Sequence, residues 1–236
     1  MSAPPLFLNG KELPILWEDR HFLVINKPSG LASHPGPHTQ DSVETRLTPQ
    51  KRGGPWLVHR LDRDTSGCLL IARRKTALIA AQKAFEAHHV HKTYWAIVNG
   101  HLPAAKGEIT TPLKRIQTAQ GWAVKSASPH DTTAQKAHTL WRVLGTTDSS
   151  SWVELQLLTG RTHQARVHLA SLGTPIIGDP IYGQNGLQEP LQLLSRSLNL
   201  TMSFQEIHID VTAPPPATME YYLARFQKFS EKPKKN

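Results

Sequence analysis

The sequence predicts an α+β fold, a mixed, mostly antiparallel central sheet with flanking helices and loops. Two observations lead there. Short runs rich in β-branched and aromatic residues recur along the chain. A few stretches with helical spacing interrupt them, but without the regular strand–helix alternation of a parallel α/β sheet. With 236 residues, 39% of them hydrophobic and 19% charged, the chain has an ordinary globular composition and can bury a sizeable core. One domain over 15–230 is expected, between a loose proline-bearing arm at 1–14 and a basic tail at 231–236.

The elements follow in order. His21 to Lys27, "HFLVINK", reads as a short strand, and the Gly- and Pro-dense "PSGLASHPGPH" after it as turns. Strands at 56–59 and 67–72 bracket a charged loop. Residues 76–89 carry Leu78, Gln82 and Phe85 among alanines and read as a helix. "KTYWAIVNG" (92–100) returns to strand, and the polar, turn-rich 101–150 holds short β runs such as 138–144. In "SWVELQLL" (151–158), Val153, Leu155 and Leu157 share one face and Trp152, Glu154 and Gln156 the other, the pattern of a half-buried strand. "THQARVHLASLG" is a short helix with Thr162 as N-cap and Gly173 as its stop. After the prolines at 214–216, apolar residues at 219, 222, 223, 226 and 229 make a terminal amphipathic helix.

Charge narrows the partners. Lys and Arg number 27 against 18 Asp and Glu, a net charge of +9, and the isoelectric point is about 9.8. Such an excess favours a polyanion, nucleic acid first and a membrane surface second. The single cysteine, Cys68, excludes an internal disulfide and lies among apolar neighbours, which predicts a buried, inert thiol in a reducing compartment. The N-terminus has no secretory pattern and no apolar run approaches bilayer length. A cytoplasmic protein without a membrane partner is expected, and a monomer.

The loop between the strands at 56–59 and 67–72 raises the chemical question. "HRLDRDTSG" places Arg60, Asp62, Arg63 and Asp64 between two apolar runs. A carboxylate beside guanidiniums stays ionised, so it can serve as a nucleophile or general base. The surrounding cations argue against a metal site. The plainer alternative is that both carboxylates pair with arginines or cap turns, and the chemistry alone does not choose between Asp62 and Asp64.

A second constellation is "LLTGRTHQARVH" (157–168), where Gly160 and Arg161 sit between a strand and a helix. A helix start is a natural seat for an anion, so Arg161 could reach a phosphate or a carboxylate. His163 and Arg166, three apart, share a helix face. The chain has 13 histidines, but none falls into zinc-ligand spacing, and nucleotide-loop, dinucleotide and serine-hydrolase signatures are missing.

Taken together, "VINKPSGLASHPG" (24–36), "HRLDRDTSG" (59–67), "KTYWAIVNG" (92–100) and "LLTGRTHQARVHLASLGTPIIGDPIYG" (157–183) resemble the RluA-like family of RNA pseudouridine synthases. The resemblance runs along nearly the whole chain. It implies a catalytic domain with a basic cleft that isomerises uridine within rRNA or tRNA, detaching the base from C1′ and rejoining it through C5, with no cofactor and no metal. It makes Asp62 the catalytic aspartate. Tyr94 matches the aromatic that stacks on the base and assists proton removal at C5, and Arg161 the basic partner of the aspartate. Arg60 matches the arginine that enters the stack where the target base leaves it. His59, Lys27, His163, Gln164 and Arg166 are further substrate-binding candidates, with Lys27 as support for the cleft.

With only about fourteen residues before this span, no extra RNA-binding domain like that of some larger relatives is expected, and specificity is expected to rest on the catalytic domain. The 101–150 region looks least like the family, and its Lys114 and Arg115 are candidates for setting substrate choice. Two readings from other classes compete: an RNA-binding or chaperone protein with dispensable catalysis, and a glycosidic hydrolase using Asp62, which would want a second carboxylate.

Overall fold

The structure, a computed structural model, describes residues 6–37, 39–50, 53–119, 121–183 and 189–230. In chain order its elements are β1 (Ile15–Glu18), β2 (Phe22–Lys27), α1 (Val43–Arg46), β3 (Trp56–Leu57), β4 (Ser66–Ala72), α2 (Lys75–Glu86), β5 (Val90–Asn99) and β6 (Lys106–Ile109). There follow β7 (Leu113–Thr118), β8 (Gly121–Ser126), β9 (Thr139–Thr146), β10 (Ser150–Leu157), α3 (Gln164–Ser171), β11 (Leu193–Met202), β12 (Ile207–Thr212) and α4 (Ala217–Ser230). The chain forms two compact units. The first takes the chain up to Lys92 together with Ser195–Pro214, the second Thr93–Leu194 together with the chain from Pro215 on.

In the first unit the strand order is β1-β2-β4-β11, with β12 beside β11 and β3 beside β4. The pairs β1–β2, β2–β4, β3–β4 and β11–β12 are antiparallel. β2 and β4 form the centre because their apolar residues run on without a polar face: Val24 opposes Leu70, Ile25 opposes Leu69, and every residue of β4 is buried. Cys68 is among them, and burial pushes its thiol up to about 11. Helix α2 buries Ala77, Leu78, Ala81 and Ala84, while Gln82 of the expected stripe is exposed. Alanines form the buried stripe because their small side chains let a helix approach its neighbours closely.

Helix α1, which no sequence signal above assigns, starts on a capping box in which the Ser42 and Thr45 side chains and backbones bond reciprocally. The expected loose arm is partly folded. Residues 1–5 lie outside the described residues, but Phe7 bridges Leu47 and is buried, as is Leu13. β11 and β12 are likewise unassigned above. Ile207, Ile209 and Val211 of β12 are buried and alternate with exposed partners.

In the second unit the order is β5-β10-β9-β6, antiparallel throughout. Val153 and Leu155 of β10 are buried as the alternation requires, with Leu157 half-buried at the strand end. Helix α4 buries Met219 and Phe226, and Phe226 lies against Gly145 of β9. The β7–β8 hairpin is a separate two-stranded sheet. Leu113 and Val124 at its base join Ala137, Val167 and Tyr182 in one apolar cluster. Helix α3 ends as expected, with Gly173 at φ +76° just past the Leu172 cap. Its start differs: the N-cap is His163, not Thr162, and no side chain caps it. The basic tail at 231–236 lies outside the described residues. Among those residues no helix is long and apolar enough to cross a membrane.

Candidate active site

The first unit holds Lys27, His59, Arg60 and Asp62 on and around one loop. β3 runs out along β4, Val58 N–H donates to Leu70 O at 3.0 Å, and the chain returns as β4 from Ser66. Between them the loop is fastened at successive residues. His59 Nε2 accepts from Leu70 N at 3.1 Å, and its ring stacks on Phe85 of α2 at 5.2 Å. Burial, then the Lys92 charge, push the imidazole down to about 3, against a hydrogen bond with the Arg60 backbone. His59 is therefore neutral near pH 7 and works as a structural peg.

Leu61 is the next anchor. It is buried, and Ser33 Oγ both accepts from its N–H at 3.0 Å and donates to its carbonyl at 2.8 Å. With Leu61 pointing in, the residues on either side remain accessible: Arg60 is exposed and Asp62 partly so. Thr65 N–H donates to Asp62 O at 3.2 Å and closes the turn.

The segment after β2 ties the far side of the loop. Ser29 Oγ donates to Asp64 O at 2.8 Å, and Arg63 Nε donates to Gly30 O at 3.0 Å. Lys27 is 0% exposed, and its ammonium donates to the carbonyls of Pro28 (2.9 Å), Leu31 (2.6 Å) and Arg63 (2.9 Å). Lys27 thus grips backbone beneath the loop.

The second unit holds Tyr94, Arg161, His163, Gln164 and Arg166. Tyr94 sits on β5 opposite Leu155 of β10 and is nearly buried. β10 then runs on into the turn before α3, so one strand both flanks Tyr94 and delivers Arg161. Arg161 is exposed, and its Nε donates to Lys136 O at 3.0 Å. The turn is shaped by Gln164, which is 2% exposed. Its Oε1 accepts from Arg161 N (3.0 Å) and Thr159 Oγ1 (2.7 Å), and its Nε2 donates to His138 O and Thr139 Oγ1, both at 3.0 Å. The whole amide is thereby engaged within the protein.

His163 adopts a left-handed backbone at φ 56°, uncommon without glycine. Its ring stacks on Trp122 of the hairpin at 5.3 Å, and its Nδ1 lies 2.8 Å from Tyr182 Oη. The Arg115 guanidinium lies 4.5 Å from the Trp122 ring centre, and Trp122 is 40% exposed. Arg166, 3% exposed, is held by both oxygens of Asp179 at 2.8 Å. Asp179 also accepts from Ile181 N and Tyr182 N. Burial pushes its carboxyl up, yet the Arg166 hydrogen bond and charge, with the two amides, win and hold it below the usual range.

Asp62 therefore stands in the first unit, and Tyr94 and Arg161 in the second. Of the further candidates, Arg60 and His163 keep accessible surface, and His59 is a half-buried peg. Lys27, Gln164 and Arg166 are internal supports. The sequence reading gives no role to Ser33, Trp122, Asp179 or Tyr182. The first of these lies in its 24–36 stretch and the last two in "GDPIYG", so position within a motif was the available signal. His168 is buried with both ring nitrogens near oxygens, Thr139 Oγ1 at 2.8 Å and Thr111 O at 3.0 Å. Among the described residues, no group of three His, Cys, Asp or Glu could hold a metal ion.

The sequence matches the family model for RNA pseudouridylate synthase over residues 21–171, which takes in Asp62, Tyr94 and Arg161. The chain belongs to that family. Among its relatives, the ribosomal large subunit pseudouridine synthase D of Zymomonas mobilis is 36% identical over 183 residues, 73% of this chain and 56% of that protein. The match thus spans little more than half the length of that relative. The uncharacterized RNA pseudouridine synthase YhcT of Bacillus subtilis is 38% identical over 89% of this chain and 70% of its own. Among solved structures, human RNA pseudouridylate synthase domain containing 4 superposes with a TM-score of 0.75 at 28% identity, covering 91% of this chain and 93% of that one. The fold is that of pseudouridine synthases, an α+β arrangement of sheet with few helices.

Proposed function

We propose that the chain is an RNA pseudouridine synthase that isomerises particular uridines, with Asp62 as the nucleophile and no cofactor. The observation that carries this reading is the Asp62 loop. Leu61 is plugged inward and clasped by Ser33, which leaves the Asp62 side chain partly accessible on a turn fastened on both sides. A reacting group needs such preorganisation, because loose placement costs rate directly.

In the reaction the Asp62 carboxylate attacks C1′ or the ring at C6. The C1′–N1 bond breaks, the uracil turns, C1′–C5 forms, the bond to Asp62 breaks to restore the carboxylate, and N1 takes up a proton. The hydrogen at C5 leaves as a proton, which Tyr94 helps to remove. By the family resemblance, Arg161 matches the basic residue that partners the catalytic aspartate. The uridine must leave the helical stack, which costs a few kcal/mol in unstacking. Exposed Arg60, two residues before Asp62, offsets part of that cost by stacking and phosphate contact. The substrate is rRNA of the large subunit, in keeping with the names of relatives from Zymomonas mobilis and Vibrio cholerae, with tRNA the alternative outcome.

The test uses rRNA and tRNA transcripts tritiated at uracil C5, incubated with the wild type and with Asp62→Ala. Tritium released to water by the wild type alone, from rRNA, is the expected result. Release from tRNA alone moves the substrate class. Free uracil would mean a hydrolase, and release by Asp62→Ala at the wild-type rate would remove Asp62 from the chemistry.

A further inference from the structure

One large apolar side chain of the second unit stands in solvent among cations. Trp122 of β8 is 40% exposed, opposite Gln117 near the end of the β7–β8 hairpin. Residues 113–126 carry Lys114, Arg115 and Lys125 and no carboxylate, and Arg115 and Lys125 are exposed. The base of the hairpin is seated without the indole, by Leu113 and Val124 in their cluster with Ala137 and Val167.

The indole is held in one orientation all the same. Its ring lies against the His163 imidazole, with centres 5.3 Å apart and planes at 22°. His163 in turn meets the Tyr182 ring edge-on at 5.6 Å. Tyr182 Oη lies 2.8 Å from His163 Nδ1 and accepts from Val124 N at 3.0 Å. The contacts thus close on themselves, from Trp122 through His163 and Tyr182 to Val124, two residues along the same strand. The Arg115 guanidinium lies over the indole at 4.5 Å. An aromatic ring fixed beforehand loses little freedom when another flat group stacks on it.

The surroundings say which flat group fits. Three cations without a carboxylate favour a polyanion. Bases inside an RNA duplex have both faces covered by their neighbours, and its deep groove is closed to side chains. Loops, bulges and ends offer base faces to aromatic rings, and a flipped-out uridine leaves its neighbours unstacked. A phosphate offers the Arg115 guanidinium charge-assisted hydrogen bonds that the indole does not, so the place over the indole is readily given up.

We propose that Trp122 is a stacking site for one unpaired base of the RNA, which takes the place of the Arg115 guanidinium over the indole while Arg115 turns to a phosphate. This rests on the reading of RNA as the substrate. The site selects open RNA over duplex, and it does so through the face of the base and not through charge.

The experiment measures Kd at several salt concentrations for a single-stranded RNA of about twelve nucleotides and for the duplex of the same sequence. Wild type, Trp122→Ala and Trp122→Phe are compared. For Trp122→Ala a roughly five- to a hundredfold weaker single-strand Kd is expected, with the duplex Kd within about twofold. The salt slope should not change, because an indole releases no counterions. Trp122→Phe, which keeps a flat ring, should retain most of the single-strand affinity. An unchanged single-strand Kd for Trp122→Ala, an equal loss on both RNAs, or an altered salt slope overturns the proposal. Should Trp122→Ala not fold, the emission present in wild type and missing from Trp122→Phe must be quenched by the single strand and not by the duplex. Quenching by neither, by both alike, or only by anionic phospholipid vesicles overturns the proposal. A single-strand effect of Trp122 with no tritium released from any transcript would sink the synthase reading and leave the stacking site standing.

Discussion

Asp179→Ala gives the most direct test of how the second unit is built. The carboxylate accepts from Arg166 Nε and Nη2, both at 2.8 Å, and from the amides of Ile181 (2.9 Å) and Tyr182 (3.0 Å). Both partners of the ion pair are buried, at 3% and 0% side-chain exposure. Truncation takes from a buried guanidinium the carboxylate that bonds two of its nitrogens, which costs about 3–5 kcal/mol. For a chain of this size that lowers Tm by about 6–20 °C. Thermal unfolding followed by near-UV circular dichroism at pH 7 is the assay, and a drop below about 2 °C would refute the reasoning. The double variant Arg166→Met, Asp179→Leu should regain most of the loss, because replacing both charges leaves none unpaired. The pH dependence has a definite sign. A carboxyl held below its unfolded value near 3.9 stabilises fully above that pH, and loses the contribution as pH falls from there through the folded value.

Two further outcomes are expected. Replacing Lys114, which bonds Asp131 at 3.0 Å, and exposed Arg115, which lies over Trp122, by alanine should weaken RNA binding in a filter assay and leave the single-turnover rate unchanged; unaltered affinity would exclude the hairpin from RNA recognition. His59, pushed down to about 3, should show no ring titration by ¹⁵N NMR between pH 5 and 8. Because the unfolded histidine takes up a proton near 6.5, its contribution to stability should fall as pH drops from about 6.5 toward 3, and a midpoint near 6 would refute its role as a neutral peg.

How far the sequence could be read depended on where each signal is written. The clean alternation in β10 and the unbroken apolar run of β4 are properties of consecutive residues, so both were legible. β12 alternates as clearly in "IHIDVT" but went unassigned, and Ser195, Arg196 and Ser197 blur the same signal in β11. The site shows the same limit at longer range. Asp62 and Asp64 look alike in composition, and the resemblance, not the chemistry, chose between them.

Lys27, Gln164 and Arg166 were assigned to substrate because polar residues in a motif suggest contact with a ligand. Their actual partners could not be seen from the motif. The acceptors of Lys27 are backbone carbonyls, which every residue possesses and no sequence displays. The counter-charge of Arg166 arrives 13 residues later, after a turn whose path the sequence does not state. A polar motif residue can hold its place by binding the substrate or by binding the loop that does. Burial separates the two, because a side chain with every donor used inside the protein has none to offer RNA. By that criterion the motifs here carry two layers of meaning. Lys27, Ser33, Gln164 and the Arg166–Asp179 pair are engaged within their own units, whereas Arg60 and Arg161 are exposed and Asp62 partly so.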